Sequence, residues 1–405
     1  MLHEVSETTA LALQLLESPQ DASVRLRLYS DVLAYPSRSP AFQAARADLR
    51  SSPAVQQIAA DQRADGGWGR FHSAKSTARR AIPTTEFAVR RAFALGLSPR
   101  SPMLSRAADY TEALLAGAIP FPDPPEKNDR WRAGCRLFVT SSLSLIRPRS
   151  TALRATSRTW ASILEAAFHE GRYDPKAEAS AHRRLTGATV QGTYLELDNR
   201  YAVELLAADA NHLPMAQCRG YMEWLATSRT GIGYLGVPLV RPETLRTPSE
   251  FDRWLVSWEL LSRFPGWQEC ATSAMDWLWS YRMRDGLWDF GPRPGLSEAL
   301  PLSSDWRTSH KRQADWSSGC CLSLLDMGCA TQPIRGCPVS CLSERRPWRL
   351  ESHHTDRRTK YVIDSRLGSR SGRSLSASRT APHSPTWLQA AGQSQAFDPT
   401  ERTLP

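Results

Sequence analysis

The sequence has few lysines and no long apolar run. Only five of its 51 basic residues are Lys, which reflects base composition rather than a particular partner. No stretch approaches the roughly 20 consecutive apolar residues of a membrane-spanning helix. The first 20 residues, MLHEVSETTALALQLLESPQ, carry acidic side chains where a signal peptide carries basic ones. These absences predict a cytoplasmic protein without a membrane span.

The net charge of +10 is concentrated near the end of the chain. From position 345 onward there are eleven Lys or Arg against five Asp or Glu, which leaves the preceding 344 residues at about +4. A nucleic-acid partner is therefore not expected, except through this basic tail.

No pair of the eight cysteines has the Cys-x-x-Cys spacing of a zinc knuckle. Five of them crowd positions 320–341, and a cytosolic chain keeps such thiols reduced. We interpret the cysteines as free thiols and predict neither a metal nor a cofactor.

A glycine turn that carries an aromatic residue recurs five times. The copies are GGWGRF, GAIPFPDPP, EGRYDP, GIGYLGVP and DGLWDFGPRP, with the aromatic markers Trp68, Phe121, Tyr173, Tyr234 and Trp288 at intervals of 53, 52, 61 and 54 residues. Segments with apolar residues at three- and four-residue spacing precede and follow most turns. Each unit is predicted to be a helix, a turn, a loop and a second helix, and such units must stack to bury their apolar faces.

The pattern predicts an all-α fold of about five to six helical hairpins, with the more apolar second helices inside. A closed ring and an open superhelix both fit this period. We expect a helical lead-in over 1–50, the repeats over 51–317 and a tail over 318–405, with the last hairpin incomplete.

The tail is rich in Ser, Arg and Cys and poor in aliphatic residues, which predicts disorder. Two interpretations are open: a segment that binds RNA or an acidic partner, or a last hairpin overwritten by a frameshift or fusion.

The turns resemble those of the terpenoid cyclase and prenyltransferase superfamily, whose repeat has a helix, a Gln and then Gly-x-Trp. Gln62, Gly66 and Trp68 match this motif in DQRADGGWG, while DGLWDFG keeps Gly286 and Trp288 without the Gln. The similarity covers residues 50–317, and it is more specific to uncharacterised bacterial proteins with segments like DGGWGRFHS and PEKNDRW. It implies an α/α-toroid and a structural role for the residues that join successive turns: Gln62, Gly67, Trp68, Gly286 and Trp288.

The three chemistries known for this superfamily each lack their signature here. The sequence contains neither the Asp-x-Asp-Asp of a proton-initiated cyclase nor the Asp-Asp-x-x-Asp that holds magnesium on a diphosphate. Nothing resembles the Asp, Cys and His zinc ligands of a protein prenyltransferase. The resemblance therefore implies a fold and a cavity, without a reaction.

Each second helix starts with an acidic residue and an aromatic residue. If the ring closes, these starts line one end of the cavity, where rings beside carboxylates suit a cationic or sugar-like ligand. The candidate catalytic residues are Glu86, Asp129 and Asp252, and the candidate ligand-binding residues are Arg130, Trp131, Asp198, Arg200, Tyr201, Arg253 and Trp254. Helix capping and core packing explain the same pattern without a ligand.

Three basic side chains lie near the turns, namely His72, Lys75 and His182. Basic groups of this kind suit a diphosphate, although a lone His more often serves packing. The expected function is binding or conversion of an isoprenoid-like small molecule. A non-catalytic helical-repeat binding protein and a carbohydrate-active enzyme that uses paired rim carboxylates remain alternatives.

Overall fold

In the computed structural model, residues 2–73, 82–190, 192–292 and 297–328 are described, and their regular secondary structure is helical. The all-α prediction is thus confirmed for these ranges. Lys75 and the part of the predicted tail after residue 328 lie outside them. The helices are α1 (Leu2–Glu17), α2 (Ala22–Arg27), α3 (Pro40–Ser51), α4 (Pro53–Asp61), α5 (Thr85–Ala94), α6 (Pro102–Leu115), α7 (Trp131–Ile146), α8 (Arg154–Ala167), α9 (Pro175–Thr186), α10 (Arg200–Ala207), α11 (Met215–Thr227), α12 (Pro248–Leu261), α13 (Trp267–Ser280) and α14 (Ser309–Gly328).

Local sequence signals set several helix starts. Helices α3, α6 and α12 each begin with a Ser or Thr whose hydroxyl accepts a backbone N–H, followed by Pro. Proline suits this position because its fixed φ matches the first turn and its missing N–H would have no partner there. Thr247 and Glu250 form a reciprocal capping box at α12. Of these three helices, α12 carries candidate site residues, namely Asp252, Arg253 and Trp254.

The second helices form the buried layer. Helices α5, α7, α10, α12 and α14 contact one another in succession, and α14 also contacts α2. Helix α10 is the clearest case, because all of its residues after the first are buried. Helix α6 packs against α5 and α7, α8 packs against α7 and α10, and α13 packs against α14.

The first and last described helices pack together. Helix α1 lies against α14, and Lys311 on α14 donates to the Pro19 carbonyl at 2.7 Å. Ser304 N also donates to Asp21 at 2.7 Å. Residues 1–50 therefore pack with the repeats. The boundary expected at 317 falls inside α14, which continues to Gly328 as an unbroken helix.

The turn tryptophans make equivalent contacts. The indole of Trp68 donates to the Ile58 carbonyl at 2.7 Å, and that of Trp288 donates to Leu278 at 2.8 Å, ten residues back in both cases. Both rings are fully buried. Each tryptophan thus joins its turn to the helix that precedes it.

Glycines and a glutamine complete the first turn. Gly66 has φ +95, and a Cβ there would lie 2.4 Å from the Arg106 carbonyl oxygen. A Cβ on Gly67 would meet the Tyr110 ring at 2.9 Å. Gln62 donates to the carbonyls of Gly66 and Met103, both at 2.9 Å. This turn is therefore packed against α6, the first helix of the next hairpin. Gly286 has φ +84 in the equivalent turn before Trp288.

Among the described residues, no helix combines the length and the apolar character needed to cross a bilayer.

Candidate functional site

The first glycine turn is hydrogen-bonded to the start of α5. Thr85 N donates to the Arg70 carbonyl at 2.9 Å, and Glu86 N donates to Phe71 at 3.2 Å. The hydroxyl of Thr85 in turn accepts Trp68 N at 2.9 Å. This pairing carries the chain past Glu86 and places His72 directly beside it.

One buried carboxylate holds the segment that carries His72. Asp123 accepts the backbone N–H groups of Phe71, His72 and Ser73 at 2.6, 2.9 and 2.6 Å. Only 5% of Asp123 is exposed. Three charge-assisted bonds to consecutive amides fix both the path of the backbone and the direction of the His72 ring.

His72, Glu86 and Tyr201 form a compact polar group, which we call the Glu86 cluster. Nδ1 of His72 lies 3.1 Å from Oε1 of Glu86, and the Tyr201 hydroxyl donates to the same oxygen at 2.9 Å. The hydroxyl also lies 2.8 Å from Nδ1. Tyr201 is on α10, where the capping residue Asn199 accepts Tyr201 N. Three separated segments of the chain thus meet at one carboxylate oxygen.

Beside this cluster lies a buried arginine–glutamate quartet of Arg90, Arg200, Glu204 and Glu298. Arg90 donates to both oxygens of Glu204 at 3.1 and 2.9 Å, and Arg200 donates to Glu204 at 2.8 Å. Glu298 accepts from both arginines. Two positive and two negative charges make the quartet neutral as a unit.

The two arginines control the ionisation of the glutamates. Burial alone would raise the pKa of Glu204, but the charges of Arg90 and Arg200 lower it to about 2. Burial likewise opposes ionisation of Glu298, and the same arginines keep its pKa below the usual value. Burial of Tyr201, with the nearby Glu86 carboxylate, raises the pKa of that phenol far above its ordinary value. The quartet is thus fully charged at neutral pH, while Tyr201 remains a neutral donor.

Aromatic rings surround the Glu86 cluster. The His72 ring stacks on Phe138 with centroids 4.1 Å apart, and Phe138 lies 4.6 Å from Tyr201. Tyr234 sets its ring edge-on to Tyr201 at 5.4 Å and to His72 at 6.1 Å. Tyr234 is 56% exposed, so the aromatic wall opens to solvent on its side.

The segment Ser297–Ser303, between α13 and α14, brings Glu298 into the quartet. Arg91 donates to the Ala299 carbonyl at 3.0 Å and also to that of Pro301. The other end of the segment is held by Asp315, which accepts Leu302 N at 2.7 Å. Side chains from the inner helices therefore hold this connection in place.

Of the residues named from the sequence, the structure brings His72, Glu86 and Tyr201 into one cluster and places Arg200 in the adjacent quartet. Asp129 is exposed and accepts the amide and hydroxyl of Thr189 at 2.9 and 2.8 Å, which, with Arg130 nearby, lowers its pKa. Asp252 is buried and accepts the Ser297 hydroxyl at 3.2 Å. These two carboxylates bind loop segments outside the Glu86 cluster.

The remaining predicted residues serve local contacts. Trp131, which follows Arg130 in the chain, packs edge-on against Phe121 with the ring centroids 5.5 Å apart. Arg253 donates to the Ser249 carbonyl one turn back, and the fully buried Trp254 donates to Leu239 at 2.8 Å. Their side-chain contacts therefore resemble ordinary helix packing.

Sequence reasoning gave no role to Arg90, Glu204, Glu298 or Asp123. Arg90 and Glu204 each follow a predicted residue, Glu86 or Arg200, by four positions, which is one helical turn. The signal that could have indicated them is a second charged residue one turn after the first, in the otherwise apolar segments EFAVRR and RYAVELL. Glu298 and Asp123 lie in loops between helices, where helical periodicity gives no information.

A second group of acids contains the buried Glu178, beside His182, and the partly buried Glu196 and Asp198. Glu178 accepts Leu197 N at 2.8 Å and the Tyr173 hydroxyl, and His182 Nε2 lies 3.7 Å from Glu178. Burial, together with Glu196 and Glu178, raises the pKa of Asp198 to about 6. The ionised form of Asp198 is therefore unfavourable in the folded chain.

Asp198→Asn is expected to raise the free energy of unfolding at pH 7 by about 1–2 kcal/mol. Asp198 is ionised at pH 7 in both the folded and the unfolded chain, so an amide removes the cost of burying the charge. As the pH falls from about 6 to below 3.8, Asp198 becomes protonated in both states and the gain disappears. Urea denaturation at pH 7 and pH 3.5 measures this, with the exposed Asp276→Asn on α13 as a control. An equal effect at both pH values would contradict the assignment.

Within the described ranges, no group of three or more His, Cys, Asp or Glu side chains is arranged to hold a metal ion. A surface groove between α8 and α11, lined by Arg158, Leu164 and His212, contains none of the predicted site residues.

The described chain is an all-α protein of packed helical pairs, in which His72, Glu86 and Tyr201 meet at one carboxylate oxygen. Comparison with protein-family models, with curated proteins and with solved structures gave no significant match.

Proposed function

We propose that this chain is an α/α-toroid protein, similar to the terpenoid cyclase and prenyltransferase superfamily, that binds and converts a small molecule at the Glu86 cluster. The contacts of the second helices in succession, and of α1 with α14, support the ring arrangement. The observation that carries the site is the meeting of His72 Nδ1 and the Tyr201 hydroxyl at one buried carboxylate oxygen.

In this proposal His72 is the general base and acid. With Nδ1–H held by Glu86, the lone pair of the imidazole is on Nε2. No described residue hydrogen-bonds to Nε2, so it is available to a substrate proton. Glu86 then stabilises the imidazolium that forms, as a buried carboxylate does for histidine in hydrolase triads. Asp123 acts as a positioning residue because it holds the backbone of His72.

Paired-carboxylate sugar chemistry is less well supported. It requires one carboxyl group that stays protonated and a second that is free to act. Arg90 and Arg200 hold Glu204 and Glu298 in their ionised form. Glu86 is then the one carboxyl group among these three that accepts no hydrogen bond from an arginine. The geometry therefore favours a single acid–base pair.

A thermal-shift screen of small molecules tests the proposal with wild type, Glu86→Gln and His72→Gln. Glu165→Gln, on the exposed face of α8, is the matched control. We expect compounds that raise the Tm of wild type and Glu165→Gln but not that of Glu86→Gln. Mass spectrometry of such a compound after incubation should show conversion by wild type and unchanged compound with His72→Gln. Equal shifts for all four proteins would overturn the site.

A further inference from the structure

Three carboxylates, Glu86, Glu204 and Glu298, lie around the two arginines Arg90 and Arg200. The quartet is neutral by itself, since Arg90 and Arg200 are paired with Glu204 and Glu298. Arg90 Nη1 is 3.7 Å from Glu86, beyond hydrogen-bond distance, and is shared with Glu298. The direct partners of Glu86 are an imidazole and a phenol. Glu86 is therefore a third carboxylate beside two arginines whose hydrogen bonds go to Glu204 and Glu298.

One oxygen of Glu86 has no partner. Oε1 receives both contacts, while Oε2 is buried and makes no hydrogen bond to any described residue. A buried carboxylate with an unfilled oxygen is costly, because its hydration is lost without replacement. A positively charged ligand group at this oxygen would supply the missing partner and balance the charge.

The surrounding rings present surfaces that attract cations. Aromatic faces carry negative potential and bind ammonium and guanidinium groups. One such contact exists within the chain, since the Arg90 guanidinium lies 4.9 Å from the centre of the Tyr201 ring. Phe138, His72 and Tyr234 continue the same aromatic wall toward solvent.

Tyr234 occupies an unfavourable backbone conformation at the open side of this wall. Its φ of +66 lies in the left-handed region, where residues other than glycine are uncommon. Such strain is typically retained at functional sites. Loss of hydration and the nearby Glu86 and Glu126 raise the pKa of Tyr234 to about 12, so the phenol stays neutral at pH 7.

Resting on the function proposed above, we infer that the ligand of the Glu86 cluster carries an organic ammonium group. The ammonium lies next to Oε2 of Glu86 and against the Tyr234 ring, and the rest of the ligand extends past Tyr234 to solvent. The arginine–glutamate quartet remains internally paired and takes no part in ligand charge recognition.

The test compares choline with 3,3-dimethylbutan-1-ol, which has the same shape but no charge, by isothermal titration calorimetry and by NMR of the tyrosine rings. Methylammonium serves as a smaller second cation. We expect choline or methylammonium to bind wild type at least about 10-fold more tightly than the neutral alcohol. Glu86→Gln and Tyr234→Leu should each lower the affinity for the cation by about 10-fold, whereas Glu165→Gln should not change it. Tyr234 is exposed, so its variant keeps the test valid if Glu86→Gln folds poorly.

Equal affinities for cation and alcohol, or no binding of either cation at about 10 mM, would overturn the ammonium assignment. Cation binding that is unchanged in both Glu86→Gln and Tyr234→Leu would overturn it as well. These results are distinct from failure of the proposed function, which is judged by compounds in the wider screen that require Glu86 and His72. Neutral compounds that meet this requirement would leave the acid–base site standing and reject only the charge of its ligand.

Discussion

Arg90→Met is expected to lower the free energy of unfolding by about 3–5 kcal/mol, because it leaves buried carboxylates without their main counter-charge. Arg90 is 5% exposed and donates to both oxygens of Glu204. Without it, Glu204 and Glu298 must share Arg200. Urea denaturation monitored by tryptophan fluorescence measures the loss.

Two controls separate this effect from a general loss of packing. The double variant Arg90→Met with Glu204→Gln restores a one-to-one charge balance, so it should recover about 2 kcal/mol or more. Arg25→Met removes a surface ion pair in which Arg25 Nη2 lies 2.6 Å from Asp48 Oδ2. It should lower the free energy of unfolding by less than about 1 kcal/mol. A cost for Arg90→Met no larger than that for Arg25→Met would refute the central role of the quartet.

The quartet also predicts the response to acid. The folded-state pKa of Glu204 is about 2, below its ordinary value of 4.5, so the stability from its ionised form is present above pH 4.5. That stability is lost as the pH falls from 4.5 toward 2. The double variant, which lacks this carboxylate, should show a weaker dependence over the same interval.

Asp123→Asn is expected to cost about 2–4 kcal/mol and to release the backbone at residues 71–73. The carboxylate accepts three consecutive backbone amides, and an Asn side chain offers one acceptor oxygen in place of two. Its NH₂ group would face amide donors that are already buried. Denaturation gives the overall cost, and hydrogen exchange of these three amides shows whether the opening is local.

The matched control is Asp174→Asn at the start of α9. Asp174 also accepts two backbone amides, from Lys176 and Ala177, but at a helix N-cap, where Asn serves nearly as well as Asp. The expected change there is a few tenths of a kcal/mol. If the two substitutions have the same effect, Asp123 is an ordinary capping residue and does not position His72.

Helical periodicity and the repeated turns were sufficient to predict the fold class and most helix pairs. Helical periodicity is a local signal that depends on residues three or four positions apart, and the turns are recognised by their recurrence every 52 to 61 residues. The second helices begin near their predicted starts, and Glu86, Arg200 and Tyr201 were recognised for that reason.

The same reasoning failed to separate these three residues from the similar ones around them. Asp129 and Asp252 occur in the same acid-aromatic pattern, but the start of each helix differs in phase. Helix α12 begins at Pro248 with Thr247 as its cap, so Asp252 lies in the second turn. At α7 the amide oxygen of Asn128 accepts the first backbone donors, and Asp129 turns toward Thr189. The position of each acid relative to the first residue of its helix therefore decides which segment its side chain meets.

The partners that complete the site lie far away in sequence. Glu298 meets Arg90 across 208 positions, and Tyr201 meets His72 across 129. No local pattern encodes such pairs, since they depend on how every intervening hairpin packs. Sequence patterns therefore predict the helices but not the contacts between distant residues that form the site.

The length of these separations has a consequence for synthesis of the chain. A ribosome that has produced the first 200 residues has released Glu86 and Arg90 but neither Glu204 nor Glu298. Until those acids emerge, the two arginines that they neutralise must remain hydrated or paired with other groups. Because contacts between distant residues form slowly, the site should be among the last parts of the molecule to become ordered. Formation of the Glu86 cluster thus reports that the described hairpins have assembled.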